Sequence, residues 1–180
     1  RVTTLPAVPA EQGGAGSSAT RTERFDTHGN RIWSQDERGF ITYHAFDAVR
    51  QVRTRTIQDV DGTRLTLPSG WSTPAGGGLH LVTDYRYDLR GRQIQSLGPE
   101  HVVDLAGVAT TVRTASWTVQ KDADRETRAA QGYYVPATES YVLVNPVSIT
   151  QRDAAGTRSE SIQATRAATA GALSAAASFP

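Results

Sequence analysis

The chain has 180 residues, a net charge of +1 from 19 Lys and Arg against 18 Asp and Glu, and no cysteine. The missing cysteine excludes disulfides and thiolate metal sites, and the balanced charge supplies no global field for nucleic acid or an anionic membrane. Hydrophobic content is only 38%, mean hydropathy is −0.42, and no run of 18 apolar residues occurs, so membrane insertion is not expected either.

Residues 1–20 are rich in Pro, Gly and Ala, and Glu11-Gln12-Gly13-Gly14-Ala15-Gly16-Ser17-Ser18 lacks any period, which predicts an irregular or extended entry segment. The chain opens on Arg1 without a signal-like stretch, which reads as an internal fragment of a larger polypeptide. From residue 21 to 163 the pattern changes to alternating segments punctuated by Asp-x-x-Gly. The first is Phe25-Asp26-Thr27-His28-Gly29-Asn30, followed by Asp36-Glu37-Arg38-Gly39. Next comes Gly39-Phe40-Ile41-Thr42-Tyr43-His44-Ala45-Phe46-Asp47, where Ala48-Val49-Arg50-Gln51 stands in place of a glycine turn. Arg50, Arg53 and Arg55 form a basic cluster, read as a charged strand edge that discourages aggregation, with a phosphate or glycan site as the alternative.

Asp59-Val60-Asp61-Gly62 repeats the turn pattern, and residues 67–78 then form a Pro/Gly-rich loop holding Trp71. Trp71 is a candidate ligand contact; packing of the ring onto a sheet is the competing reading. In Thr83-Asp84-Tyr85-Arg86-Tyr87-Asp88-Leu89-Arg90-Gly91-Arg92, spacing by two places Thr83, Tyr85 and Tyr87 on one strand face. Asp88 then opens a turn in which its carboxylate accepts backbone N–H bonds and Gly91 takes positive φ, so Asp88→Asn is expected to be nearly neutral. Asp104-Leu105-Ala106-Gly107 is a further turn, residues 110–119 alternate as a strand, and 121–126 form a charged turn. Residues 133–149 read as strand broken by Pro136 and Pro146, with Pro146 expected at a strand start or edge. After Asp153-Ala154-Ala155-Gly156, residues 164–180 are rich in Ala, Ser and Thr; their composition allows a helix, while Gly171 and the missing amphipathic period equally allow a loose tail or an extended continuation into further repeats.

The aromatic-Asp pairs put Asp at 26, 47 and 88, in steps of 47−26=21 and 88−47=41. A unit of about 20 residues follows, with one unit between Asp47 and Asp88 that has lost its signature. The pattern resembles the tyrosine-aspartate (YD) repeats of RHS-repeat proteins, carried by Tyr85, Tyr87, Asp88, Gly91 and Arg92 and by Phe25, Asp26, Gly29, Asn30, Thr42, Phe46 and Asp47, with the half-signatures Asp36/Gly39 and Asp153/Gly156. The resemblance implies an all-β fold in which repeated antiparallel hairpins form part of a spiralling sheet or shell. It also implies a large secreted or cell-surface protein, whose partners are further repeats of the same polypeptide or other copies of it. The Asp-Pro pair of the family's self-cleaving segment is absent.

Chemistry is sparse. His28, His44, His80 and His101 are isolated, without metal-ligand spacing, and read as turn or sheet residues, His44 in an aromatic slot. Asp59/Asp61 and Asp122/Asp124 lack the later carboxylate of a calcium loop, and Ser69, Ser72 and His80 lack a nucleophile elbow. No enzyme activity and no cofactor are expected. Two readings remain: a non-catalytic structural segment of a β-shell or fibre, or an adhesion module that binds carbohydrate or a surface protein through exposed aromatics.

Overall fold

The computed structural model describes residues 1–13 and 16–179, so Gly14 and Ala15 of the entry segment and Pro180 of the tail lie outside the described residues. The protein is all-β. Its strands are β1 (Val2–Leu5), β2 (Ala19–Phe25), β3 (Arg31–Gln35), β4 (Ile41–Phe46), β5 (Arg53–Gln58), β6 (Leu81–Tyr87), β7 (Gln93–Leu105), β8 (Val108–Lys121), β9 (Glu126–Val135), β10 (Ser140–Arg152) and β11 (Ser159–Ala164). They form one open antiparallel sheet in which sequence neighbours are spatial neighbours. Among the described residues the only helical pieces are single 3-10 turns. The chain divides into two compact units, Arg1–Val82 and Thr83–Pro180.

In the first unit, register brings Trp33 opposite Tyr43 and Tyr43 opposite Ile57, making one cross-strand row over β3, β4 and β5. The Trp33 and Tyr43 ring centroids are 4.6 Å apart. Ile41 and Val60 complete this core, and Leu65, Leu67, Trp71 and Val82 pack against it. In the second unit Ala115, Trp117 and Val119 alternate inward along β8, joined by Ala130 of β9 and by Leu143, Val147 and Ile149 of β10. Gly132 is required beneath Trp117: a Cβ there would lie 2.8 Å from the indole and 2.2 Å from the Val142 carbonyl oxygen.

Five expectations change. The 41-residue step from Asp47 to Asp88 holds no extra hairpin; β5 is followed directly by an irregular connection from Asp59 to His80, and then by β6. Gly62 therefore lies in that connection and turns no hairpin. The reason is local: alternation ends at Gln58, and Pro68, Pro74 and Gly76–Gly78 sustain no ladder. The entry segment contains a strand, since Val2–Leu5 pairs with residues 19–22 of β2. Pro146 sits inside β10 between two partner strands, at a bulge where pairing to β9 jumps from Val144 to Ser148, so the missing N–H interrupts no ladder bond there. Residues 164–179 do not trail away: Leu173 and Ala177 are buried in the core of the second unit. His44 is buried, not on the sheet surface, with Nδ1 3.1 Å from Thr56 Oγ1.

Candidate functional site

The residues singled out by the repeat converge on one device, used five times. At the β2–β3 turn, Asp26 Oδ1 accepts the N–H groups of His28 (2.9 Å) and Asn30 (2.8 Å), while the Asp26 N–H donates to the Asn30 carbonyl at 2.9 Å. At β3–β4, Asp36 Oδ1 accepts from Arg38 (3.0 Å) and Phe40 (2.8 Å). At β6–β7, Asp88 Oδ1 accepts from Arg90 and Arg92, both at 2.9 Å. At β10–β11, Asp153 Oδ1 accepts from Thr157 (2.8 Å) and Arg158 (3.2 Å). Gly29, Gly39, Gly91 and Gly156 carry φ of 85°, 87°, 76° and 70°, a region that L side chains resist.

The β4–β5 turn solves the same problem without glycine. Asp47 Oδ1 accepts from Val49 (2.9 Å) and Arg50 (2.7 Å), and Gln51 takes the left-handed position at φ 56°. Backbone donors around each carboxylate hold Asp26, Asp47, Asp88 and Asp153 below the usual carboxylate range, helped first at Asp26 by the Asn30 side chain.

The aromatic before each Asp has an equally regular place. Pairing steps from Arg24↔Trp33 to Phe25↔Arg31, from Ala45↔Arg55 to Phe46↔Arg53, and from Arg86↔Gln95 to Tyr87↔Gln93. Phe25, Phe46 and Tyr87 are thus equivalent residues, each the last pair before its turn and each facing a one-residue bulge. Phe46, Tyr85 and Tyr87 are half-buried and Phe25 is exposed. Thr42 pairs with Ser34, and Thr83 lies on β6 with Tyr85 and Tyr87.

The residue after the glycine completes the device. Asn30 Nδ2 donates to Asp26 Oδ2 at 2.9 Å, Arg92 Nε to Asp88 Oδ2 at 2.7 Å, and Thr157 Oγ1 to Asp153 Oδ2 at 2.9 Å. Two of these donors also reach the next turn along the same sheet end. Asn30 Nδ2 donates to Gln51 Oε1 at 2.6 Å; Arg92 donates to Asp122 and to Gln120 Oε1. The role of Gln51, Gln120 and Asp122 as partners of Asn30 and Arg92 is not legible in the sequence, because no motif marks a turn's partner one hairpin away. Their only signal is position: Gln51 and Asp122 lie in the turn that follows, and Gln120 near the end of β8 that leads into it.

Trp71 is half-buried, its ring 6.4 Å from Trp33 and nearly edge-on at 72°, with the Arg24 guanidinium 5.8 Å from its centroid. Arg24 Nη2 also donates to the Ser69 carbonyl at 3.0 Å. Asp59 Oδ2 accepts the Leu79 N–H, Asp61 Oδ1 the Thr63 N–H, and Asp124 pairs with Lys121 at 2.6 Å. Among the described residues no three His, Cys, Asp or Glu are grouped to hold a metal ion, and no helix is long and apolar enough to cross a membrane. No family model matches the chain, and no curated protein matches it.

Proposed function

We propose that this chain is a non-catalytic wall segment of a large YD-repeat protein, secreted or displayed at a cell surface, and that it contributes consecutive hairpins to a β-shell or fibre. One observation carries the reading: Asp26, Asp36, Asp47, Asp88 and Asp153 each organise a hairpin turn through the same carboxylate oxygen. A carboxylate committed to backbone donors in this way serves architecture, and the same turn used again and again is what a sheet that grows hairpin by hairpin needs. The partners in this reading are further repeats of the same polypeptide or other copies of it, joined through strand edges whose backbone groups seek pairing. Adhesion through aromatics has less support, since Trp71 is engaged edge-on by Trp33 and covered by Arg24.

The test is to replace Asp26, Asp47 and Asp88 together by Ala in the full polypeptide. Protease cleavage within residues 21–163 and a lower melting temperature of the assembled particle are expected. Unchanged particles with unchanged protease resistance would overturn the wall reading.

A further inference from the structure

An open polar groove runs between the β8–β9 turn and the β10–β11 turn, with Arg125 and Arg152 on its walls. The two residues are tied by a backbone bond, Arg152 N–H to the Arg125 carbonyl at 3.1 Å, which holds their main chains side by side at the groove. Every carboxylate lining the groove is already engaged. Asp122 is held by Arg92 and by Arg90 at 2.9 Å, Glu126 by the buried Arg128, and Asp153 by the backbone and hydroxyl of its own turn. Lys121 is neutralised by Asp124. Among the described residues Arg125 and Arg152 alone in this groove have no acidic partner, and both are exposed.

We propose that this groove is an oxyanion site, in which Arg125 and Arg152 grip one sulfate or carboxylate group. Each guanidinium offers a planar fork of donors matched to two oxygens of such a group. Among the described residues none that lines the groove is an aromatic on which a neutral sugar ring could stack, so recognition rests on charge and hydrogen bonds. Its other wall, residues 154–156, is Ala-Ala-Gly, which leaves room for a substituent beyond the anion. The site is independent of the wall reading, since it needs only the two turns of the second unit.

The test is a titration of the isotope-labelled chain followed by NMR at the arginine Nε–Hε groups. Probes are sodium sulfate, glucuronate and glucosamine 6-sulfate, each against sodium chloride at equal ionic strength. Saturable shifts confined to Arg125, Arg152 and the Gly156 amide are expected with at least one probe. Arg125→Gln or Arg152→Gln should each weaken binding about tenfold, the loss of one charge-assisted contact, while Arg86→Gln on β6 should leave it unchanged. Tighter binding of the sugar-borne anion would assign the site to an acidic glycan, and equal binding to the free anion; both support it. Shifts spread evenly over all exposed arginines, or binding unaffected by both groove substitutions, would overturn it. So would a fold kept intact in both variants, by dispersed amide spectra, with no probe binding the parent chain.

Discussion

Arg92 meets Asp122 as a two-pronged pair, Nη1 to Oδ1 at 2.6 Å and Nη2 to Oδ2 at 2.9 Å, while its Nε stays on Asp88 at 2.7 Å. One side chain thereby ties the β6–β7 turn to the β8–β9 turn. The two acids hold the guanidinium in its charged form, and Arg92 in turn keeps Asp122 below the usual carboxylate range.

Arg92→Lys keeps the charge but supplies no planar fork, so it cannot serve both acids at once. The expected result is a melting temperature lowered by about 2–5 °C, in the range of a modest surface network. Asp122→Ala should cost less in the Arg92→Lys background than in the parent chain, which a double-mutant cycle measures. Additive effects would show that the two turns are not coupled through this pair.

At Asp88 the structure changes the expected order of substitutions. Asp88→Ala removes the carboxylate oxygen that accepts the Arg90 and Arg92 backbone N–H groups, and the partner of the Arg92 side chain, and should lower the melting temperature most among changes of that side chain. Asp88→Asn retains the Oδ1 bonds but turns an amide NH2 toward the Arg92 Nε donor, so it should fall between Ala and the parent instead of being neutral. Gly91→Val should be at least as damaging as Asp88→Ala, since a β-branched residue resists φ of 76°. Thermal melts of the three variants check the order.

His44 gives the first unit a pH dependence. Burial, and then the positive charges of Arg53 and Arg31, push its imidazole down to about 4, and Thr56 Oγ1 is its hydrogen-bond partner. Unfolded, it takes up its proton near pH 6.5. Between those values the unfolded chain binds more protons than the folded one, so the contribution is complete above pH 6.5 and is lost as pH falls toward 4, by on the order of 3 kcal/mol in total. His80, lowered chiefly by burial, acts in the same direction. The turn carboxylates, also lowered, lose their contribution only below the unfolded value of 3.8. Denaturant melts at pH 7.5, 6, 5 and 4.5 should show a decline that His44→Gln flattens. A parent chain equally stable from pH 7.5 to 4.5 would sink this account.

The close approach at Gly132 sets a sharp contrast with Gly98. Gly132→Ala would drive a methyl into the Trp117 ring and the Val142 carbonyl, where neither side can withdraw without breaking the β9–β10 ladder, and should cost about 2–4 kcal/mol. At Gly98 the nearest atom to a new Cβ is the Thr114 carbonyl oxygen at 3.5 Å, so Gly98→Ala should be nearly neutral. Urea unfolding of both variants decides it.

The turns were legible because their determinants are local. Asp26 and Gly29, or Asp88 and Gly91, stand three residues apart and act on each other's backbone, so the pattern and its geometry are the same statement. The equivalence of Phe25, Phe46 and Tyr87 was legible for the same reason. What failed was everything set by distant partners. Gly62 carries the turn pattern yet sits in a connection pinned by contacts such as His80 N–H to the Asp59 carbonyl at 2.7 Å, far apart in sequence. Arg92 to Asp122 spans 30 residues, and nothing in either local sequence names the other. The tail was unreadable because two anchors, Leu173 and Ala177, leave no period among small residues.

That tail yields the last prediction. Arg128 is buried on the core face of the second unit, where Nε donates to Glu126, Nη1 donates to the Ala177 carbonyl, and the Phe179 ring lies 4.8 Å from the guanidinium carbon. Leu173 is 5% exposed beside the same cluster. The segment therefore covers apolar surface that β8, β9 and β10 cannot cover themselves, and a buried charge whose carbonyl partner lies in the strap fixes where it docks. Leu173→Ala should cost about 2–4 kcal/mol, as for other buried leucines. Arg128→Ala leaves Glu126 partly buried without its cation and should be at least as harmful, whereas Arg128→Met keeps the packing and should be harmful mainly through Glu126; adding Glu126→Gln to Arg128→Met should restore much of the loss. Phe179→Ala should raise hydrogen exchange across residues 126–130 and 147–150 without unfolding the first unit. Exchange in those strands that is indifferent to Phe179→Ala and Leu173→Ala alike would show that the strap rests on the sheet without stabilising it.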